Sequence, residues 1–202
     1  MAPAGYGSRV EGVHAVAAAA EAGRIKKLYV EVGRQARPDV SRIAAAVGDV
    51  SILDDVRLVA ETDAPQGVVA ECDPISPVAL DLLAGDGAAL LVLDHVEDPH
   101  NVGAVARSGL AAGATGIVVS DRRAAPLSAV AFKAAAGALE SLPVAIVGSI
   151  PEALNRLKKL GVWTVGLDAR GSESLFGLGI LTEPVAVVVG AESKGKIGRA
   201  HV

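Results

Sequence analysis

The side chains able to do chemistry cluster in two short segments. The first is Leu93–Gly113, LDHVEDPHNVGAVARSGLAAG. An apolar run ends there, a loop follows with Asp98, Pro99 and Asn101, and a helix is predicted from Asn101 to Ala112 with Arg107 one to two turns in. Small residues at Gly103, Ala104 and Ala106 let a backbone or a ligand approach closely. An arginine in a mostly apolar helix needs an anion or a satisfied network, and its planar fork of donors suits a phosphate. On spacing alone two plainer roles stay open: Asn101 as a helix cap and Arg107 as a snorkelling surface arginine. The second segment is Pro184–Gly195, PVAVVVGAESKG, a buried strand running into Gly190 and then Glu192. A glycine at a strand's carboxyl end permits a turn against a ligand. Glu192 there suits a cation or a hydroxyl, or is simply an exposed turn glutamate.

These segments need strands and helices to hold them. Residues 1–72 read as a small α/β unit with a helix over Gly12–Ala22 stopped at Gly23, a strand over Ile25–Val32 and a helix over Pro38–Val47. A short strand over Val50–Leu53, a helix over Asp54–Thr62 and a strand from Gly67 to Ala70 complete it. Residues 73–87, with two prolines and Gly85-Asp86-Gly87, read as a linker, the break beginning at Cys72. From residue 88 to 196 the rhythm is regular. Strands are predicted over Ala88–Leu93, Gly116–Ser120, Val144–Val147, Trp163–Leu167 and Val185–Val189, with helices over Ser128–Gly137 and Ile150–Leu160 between them. Apolar strands alternating with helices imply a parallel sheet covered on both faces. Ligands of such sheets bind beyond the strands' carboxyl ends, so the loops of interest are Asp94–His100, Asp121–Leu127, Gly148–Ser149, Asp168–Gly171 and Gly190–Gly195.

Composition removes several classes. Hydrophobic residues make up 51% and charged residues 21% of the 202 residues, enough for a real core, while aromatics at 2% leave that core to Ala, Val, Leu and Ile. The longest run without Asp, Glu, Lys or Arg, Ser108–Ser120, has 13 residues, short of the roughly 20 that span a bilayer. No secretory signal is visible at the amino end. The single cysteine, Cys72, excludes an internal disulfide and a cysteine-cluster metal site and fits a reducing, cytoplasmic setting. The four histidines lack ligand spacing, so no metal is expected. No GxGxxG follows a strand, and GxxxxGK[ST] and GxSxG are absent, which argues against a Rossmann dinucleotide site, a P-loop and the usual α/β-hydrolase. The net charge is −4, with 8 basic and 9 acidic residues over 1–70 and 11 and 14 over 71–202. A broad basic footprint is therefore missing, and any RNA contact needs a local patch. Arg24, Lys26, Lys27, Arg34 and Arg37 form the densest candidate, and a solvated helix end explains them equally well.

Together the motifs resemble the SpoU/TrmH-type RNA ribose 2′-O-methyltransferases of the SPOUT superfamily. The likeness is carried by DPHNVGAVARS (Asp98–Ser108) and VVVGAESKG (Val187–Gly195), with FKAAAGALESLPV (Phe132–Val144) and LKKLGVWTVGLDA (Leu157–Ala169) between them. GVHAVAAAAEAGRIKKLYV (Gly12–Val30) and PQGVVA (Pro65–Ala70) resemble the family's ribosomal-protein-like RNA-binding domain. Within the family the likeness runs to bacterial enzymes that methylate a guanosine ribose in large-subunit ribosomal RNA; a transfer RNA target is the alternative. The resemblance implies an α/β fold with an RNA substrate-binding domain over 1–72 and a parallel-sheet, trefoil-knot domain over 88–196. It also implies S-adenosylmethionine as cofactor, RNA as partner, and a homodimer. It assigns Asn101 to orienting the active-site loop and the ribose, Arg107 to the reacting hydroxyl and a phosphate, and Glu192 to organising the loop against Asn101. Gly190, Gly166 and Leu167 would supply backbone around the cofactor. A ribose hydroxyl is a poor nucleophile near neutral pH and needs alignment and proton removal. A free guanidinium, with a pKa above about 12, is a poor base, so Arg107 is read as a positioner and the base is left open.

The resemblance has departures. Ala135 stands where the family usually has Ser, at a position expected to pack; His95 is expected to face solvent, Cys72 and Trp163 to be core, and Lys133 to lie on a solvated helix face. The family's third motif, with a Ser-Leu-Asn core, does not follow Glu192. Residues 197–202, IGRAHV, resemble a translated sequencing adapter and are set outside the expected fold as a non-native tail. On this reading the chain as written is an incomplete copy that binds the cofactor weakly or not at all. Its alternatives are a catalytically dead RNA-binding fragment and an unrelated nucleotide-using α/β enzyme.

Overall fold

The computed structural model describes residues 5–121, 127–168, 171, 173–190 and 199–201. They form two compact units: one comprises Met1–Ser76, Pro99–Arg107 and Pro126–Ser141, the other Pro77–Asp98, Ser108–Ala125 and Leu142–Val202. The units thus trade segments along the chain.

In the first unit β1 (Arg9–Glu11), β2 (Ile25–Glu31), β3 (Val50–Leu53) and β4 (Val68–Cys72) make a sheet in the order β1-β4-β2-β3. β4 runs antiparallel to both β1 and β2, and β2 is parallel to β3. Helix α1 (Val13–Glu21) buries Ala15, Val16 and Ala19, and α2 (Pro38–Ala45) buries Val40 and Ile43. Both faces follow the helical spacing of the apolar residues. Gly23, at φ +68°, ends α1 where only glycine is unstrained.

The predicted helix over Asp54–Thr62 is a correction: only a single 3₁₀ turn forms, Val56–Leu58. Asp55 caps the Arg57 amide at 2.9 Å, and fully buried Glu11 then captures the Thr62 amide at 3.1 Å together with the Glu61 amide and the Thr62 hydroxyl. Side-chain acceptors therefore take the donors a longer helix would need. β1 was not predicted either; it has three residues, two of them charged.

Two further helices pack in this unit, α4 (Ala129–Ala135) and α5 (Ala138–Ser141). Phe132 is its largest fully buried side chain, its ring 6.0 Å from that of Tyr6. Gly7 makes room for it, since a Cβ there would stand 2.5 Å from the ring. Arg24, placed in the surface patch on sequence, instead forms a buried pair with Glu140, its Nε donating at 2.7 Å. Lys133 is not on a solvated face: its ammonium donates to the Ala64 carbonyl and lies 3.4 Å from the Thr62 hydroxyl. Ala135 is fully buried, as expected of a packing position.

The second unit holds a seven-stranded sheet in the order β7-β6-β5-β10-β8-β11-β9. β5 (Ala89–Leu93), β6 (Gly116–Ser120), β7 (Val144–Val147), β8 (Trp163–Leu167) and β10 (Val185–Val189) are all parallel. Its core gathers Leu90, Val92, Val118, Ala145 and Ala186 from the sheet with Ile150, Ala153 and Leu157 of α6 (Ile150–Lys159). α6 begins at Ser149, whose hydroxyl accepts from the Glu152 amide at 3.4 Å. Two short strands, β9 (Glu173–Ser174) and β11 (Arg199–His201), extend the sheet antiparallel beyond β8. The last residues were set outside the fold on sequence; Ala200 and His201 pair with Leu167 and Gly166. Without β11 this side of β8 would be a sheet edge, whose amides and carbonyls any extended segment can satisfy.

Trp163 is also corrected: it is 53% exposed at the amino end of β8. The alternation of that strand gives the buried position to Val165.

Candidate functional site at the strand tips

The chain enters the second sheet at β5, steps outward to β6 and β7, and then crosses to β8 on the far side of β10. The strand order reverses between β5 and β10, which is where an open parallel sheet leaves a crevice beyond its carboxyl ends. Register brings three tips together there. Val189 pairs with Leu93, Val188 pairs with Gly166, and the Asp94 amide donates to the Val189 carbonyl at 2.9 Å. Gly190, Gly166 and Leu167 therefore lie at one end of adjacent strands. Gly190 is exposed, and a Cβ built on it would meet no heavy atom within 4 Å. Among the described residues nothing stands against the tip at Gly190.

Sequence reasoning passed over one feature of this edge. His95, just past β5, is exposed as expected, yet it is held at φ +57° with its Nδ1 2.6 Å from the Asp94 carboxylate. A non-glycine residue in the left-handed region costs roughly 1–2 kcal/mol, and such strain gathers at functional sites. The adjacency of Asp94 and His95 in sequence was the available signal.

Helix α3 (Pro99–Ala111) carries the other candidates. It begins at Pro99, earlier than predicted, with proline in the first helical position, where its missing N–H costs nothing. Asn101 is thus inside the first turn and does not cap the helix, which removes the plain alternative for it. It is half-buried. Arg107 is exposed and makes no ion pair with any described residue. The small residues of α3 act in close packing: a Cβ at Gly103 would stand 2.5 Å from the Ala131 carbonyl oxygen, and one at Gly109 would stand 2.2 Å from Leu91 Cδ1. Glu192 lies outside the described residues.

Comparison with known proteins supplies the class. Residues 88–199 match the SpoU rRNA Methylase family, and residues 9–78 match the RNA 2′-O ribose methyltransferase substrate-binding family. The chain belongs to the SpoU rRNA Methylase family. Over 209 residues it is 33% identical to the 23S rRNA (guanosine-2′-O-)-methyltransferase RlmB of Pseudomonas putida, covering 96% of this chain and 83% of that protein. A second relative is Bacillus subtilis YacO, named as a TrmH family tRNA/rRNA methyltransferase; the 39% identity spans 64% of this chain and 54% of YacO. Among solved structures, the AdoMet-bound rRNA methyltransferase of Sinorhizobium meliloti superposes with a TM-score of 0.67 at 25% identity, over 94% of this chain and 72% of that one.

Proposed function

We propose that the protein transfers a methyl group from S-adenosylmethionine to a ribose 2′-hydroxyl of structured RNA, a guanosine of large-subunit ribosomal RNA. When bound, S-adenosylmethionine supplies the methyl as an electrophilic sulfonium methyl. Gly190, Gly166 and Leu167 hold the cofactor through backbone groups at the open strand tips. Arg107 takes a substrate phosphate and fixes the reacting hydroxyl, Asn101 orients the ribose, and Glu192 organises the loop that carries it. Holding the hydroxyl in line with the methyl is the larger part of the task, because fixed alignment recovers several kcal/mol of barrier.

The observation that carries this reading is Arg107, a guanidinium kept exposed and free of carboxylates among the described residues, on a helix made mostly of Gly, Ala and Val. An always-charged planar donor left in that state is suited to an oxyanion brought by the substrate. In this reading residues 1–72 serve as the RNA-binding domain, residues 88–196 as the methyltransferase domain, and the protein works as a homodimer in the cytoplasm. A lone cysteine buried in a strand accords with a reducing compartment.

Arg107→Ala is the test. Methyl transfer to large-subunit ribosomal RNA should fall by at least about a hundredfold, the scale of losing one oxyanion donor, while RNA affinity falls by no more than about tenfold, the scale of one lost phosphate contact. Equal turnover by wild type and variant would remove Arg107 from the mechanism.

A further inference from the structure

The first unit carries a cavity of about 350 Å³ lined by Val13, His14, Arg34, Arg37, Asp39 and Gln66. Three separate chain segments build it, and its charges are unevenly matched. Arg37 and Asp39 satisfy one another, with Nε and Nη2 donating to the two carboxylate oxygens at 3.2 and 2.9 Å. Arg34 has no carboxylate partner among the described residues. Its position is nevertheless set. The side chain lies across Gly67, where a Cβ would come within 2.9 Å of Arg34 Cγ and 3.1 Å of Nε. Its backbone is stitched into the turn after β2, its amide donating to Glu31 at 3.0 Å and its carbonyl accepting from Arg37 at 3.1 Å.

Gln66 completes the wall at a cost. It sits at φ +62°, next to Gly67 at φ +80°, and its Oε1 accepts from the Val13 amide at 3.1 Å. Strain of this kind persists where surrounding structure enforces it. Gln66 thereby takes the Val13 amide, one of the donors at the start of α1. What remains is a fixed, unpaired guanidinium beside a second, paired one and an imidazole, in an open polar cavity.

We propose that this cavity binds a backbone phosphodiester of the RNA substrate, with Arg34 as its principal donor. The assignment rests on the reading of RNA as partner and adds a site that the methyl-transfer residues do not include. A single guanidinium holds an isolated phosphate weakly in water, whereas a polyanion adds counterion release and neighbouring contacts. Phosphate contacts position the nucleic acid without reading its sequence, which suits a docking site away from the reacting ribose.

The experiment measures binding of the chain to in vitro transcribed large-subunit ribosomal RNA across a salt series. Arg34→Ala should weaken binding by about tenfold, the scale of a lost hydrogen bond to a charged group. The slope of log affinity against log salt should fall by about one. Gly67→Val, which displaces Arg34, should act in the same direction, and Arg57→Ala, an exposed arginine paired with Asp55 in the same unit, should change neither quantity. Inorganic phosphate at matched ionic strength should not compete. Unchanged affinity and slope in Arg34→Ala would overturn the proposal, as would competition by inorganic phosphate that Arg34→Ala abolishes, which would mark a free-anion site. If the wild-type chain does not bind the RNA at all, the reading of RNA as partner falls and the cavity assignment falls with it. If wild type binds and Arg34→Ala binds equally, the cavity assignment alone falls.

Discussion

Burial decides the character of single residues more than their type does. Cys72 is 5% exposed in β4, and burial pushes its thiol from 9.0 up to about 11. Tyr6 is pushed by the same cause, and secondarily by the Glu140 carboxylate, to about 12. Both groups are therefore held neutral in the native state beyond the pH at which the unfolded chain ionises. For Cys72 the sign follows directly. Well below pH 9 both states are almost wholly protonated and stability is unaffected; between about 9 and 11 the unfolded state gains its thiolate first and stability falls. Urea unfolding at stepped pH should show that decline, and Cys72→Ala should flatten its first part. Iodoacetamide near pH 8 should leave the native thiol unmodified and alkylate it in urea, because the thiolate is the reacting species. Rapid native alkylation would show that the thiol is neither buried nor raised.

At the scale of elements, helix ends and glycines set what packs. Ala136 ends α4 in the left-handed region at φ +49°, exposed, and Gly137 follows at φ +100° with a would-be Cβ 2.8 Å from that of Ala18. Neighbouring substitutions should therefore have opposite signs. Ala136→Gly should stabilise by about 0.5–1 kcal/mol, the left-handed penalty less glycine's entropy. Gly137→Ala should destabilise, through both strain and overlap. Denaturant midpoints check both, and a shared sign would contradict the assigned backbone. The same scale explains what was legible in the sequence. β5, β6, β7, β8 and β10 are apolar runs bounded by glycine or proline or by charged loops, and each was predicted to within a residue. β1, β9 and β11 have two or three residues and mostly polar side chains, so pairing with a neighbour is all that makes them strands. The helix expected over 54–62 failed because Asp55 and Glu11 compete for its amides, and Glu11 acts from some fifty residues away.

At the scale of the molecule, sequence reading captured the α/β class and the alternating order but not the reversal that sets β10 between β5 and β8. That placement is long-range, and local periodicity carries no trace of it. The candidate site divides in the same way. Gly190, Gly166 and Leu167 lie at strand tips, which can be read from strand ends, whereas the Arg34 cavity assembles from three segments, each ordinary by itself. The resemblance singled out Asn101 and Arg107; α3 starts at Pro99, Asn101 is half-buried in its first turn, and Arg107 is exposed further along it. Methyl transfer to a ribose oxygen is the step on which the proposed roles of these residues depend. The protein incubated with S-adenosylmethionine labelled in its methyl group and with large-subunit ribosomal RNA, followed by digestion to nucleosides, measures this directly. The label should appear in 2′-O-methylguanosine and disappear when Arg107 is replaced by alanine. Label recovered on a nucleobase, or at a ribose regardless of Arg107, would contradict it.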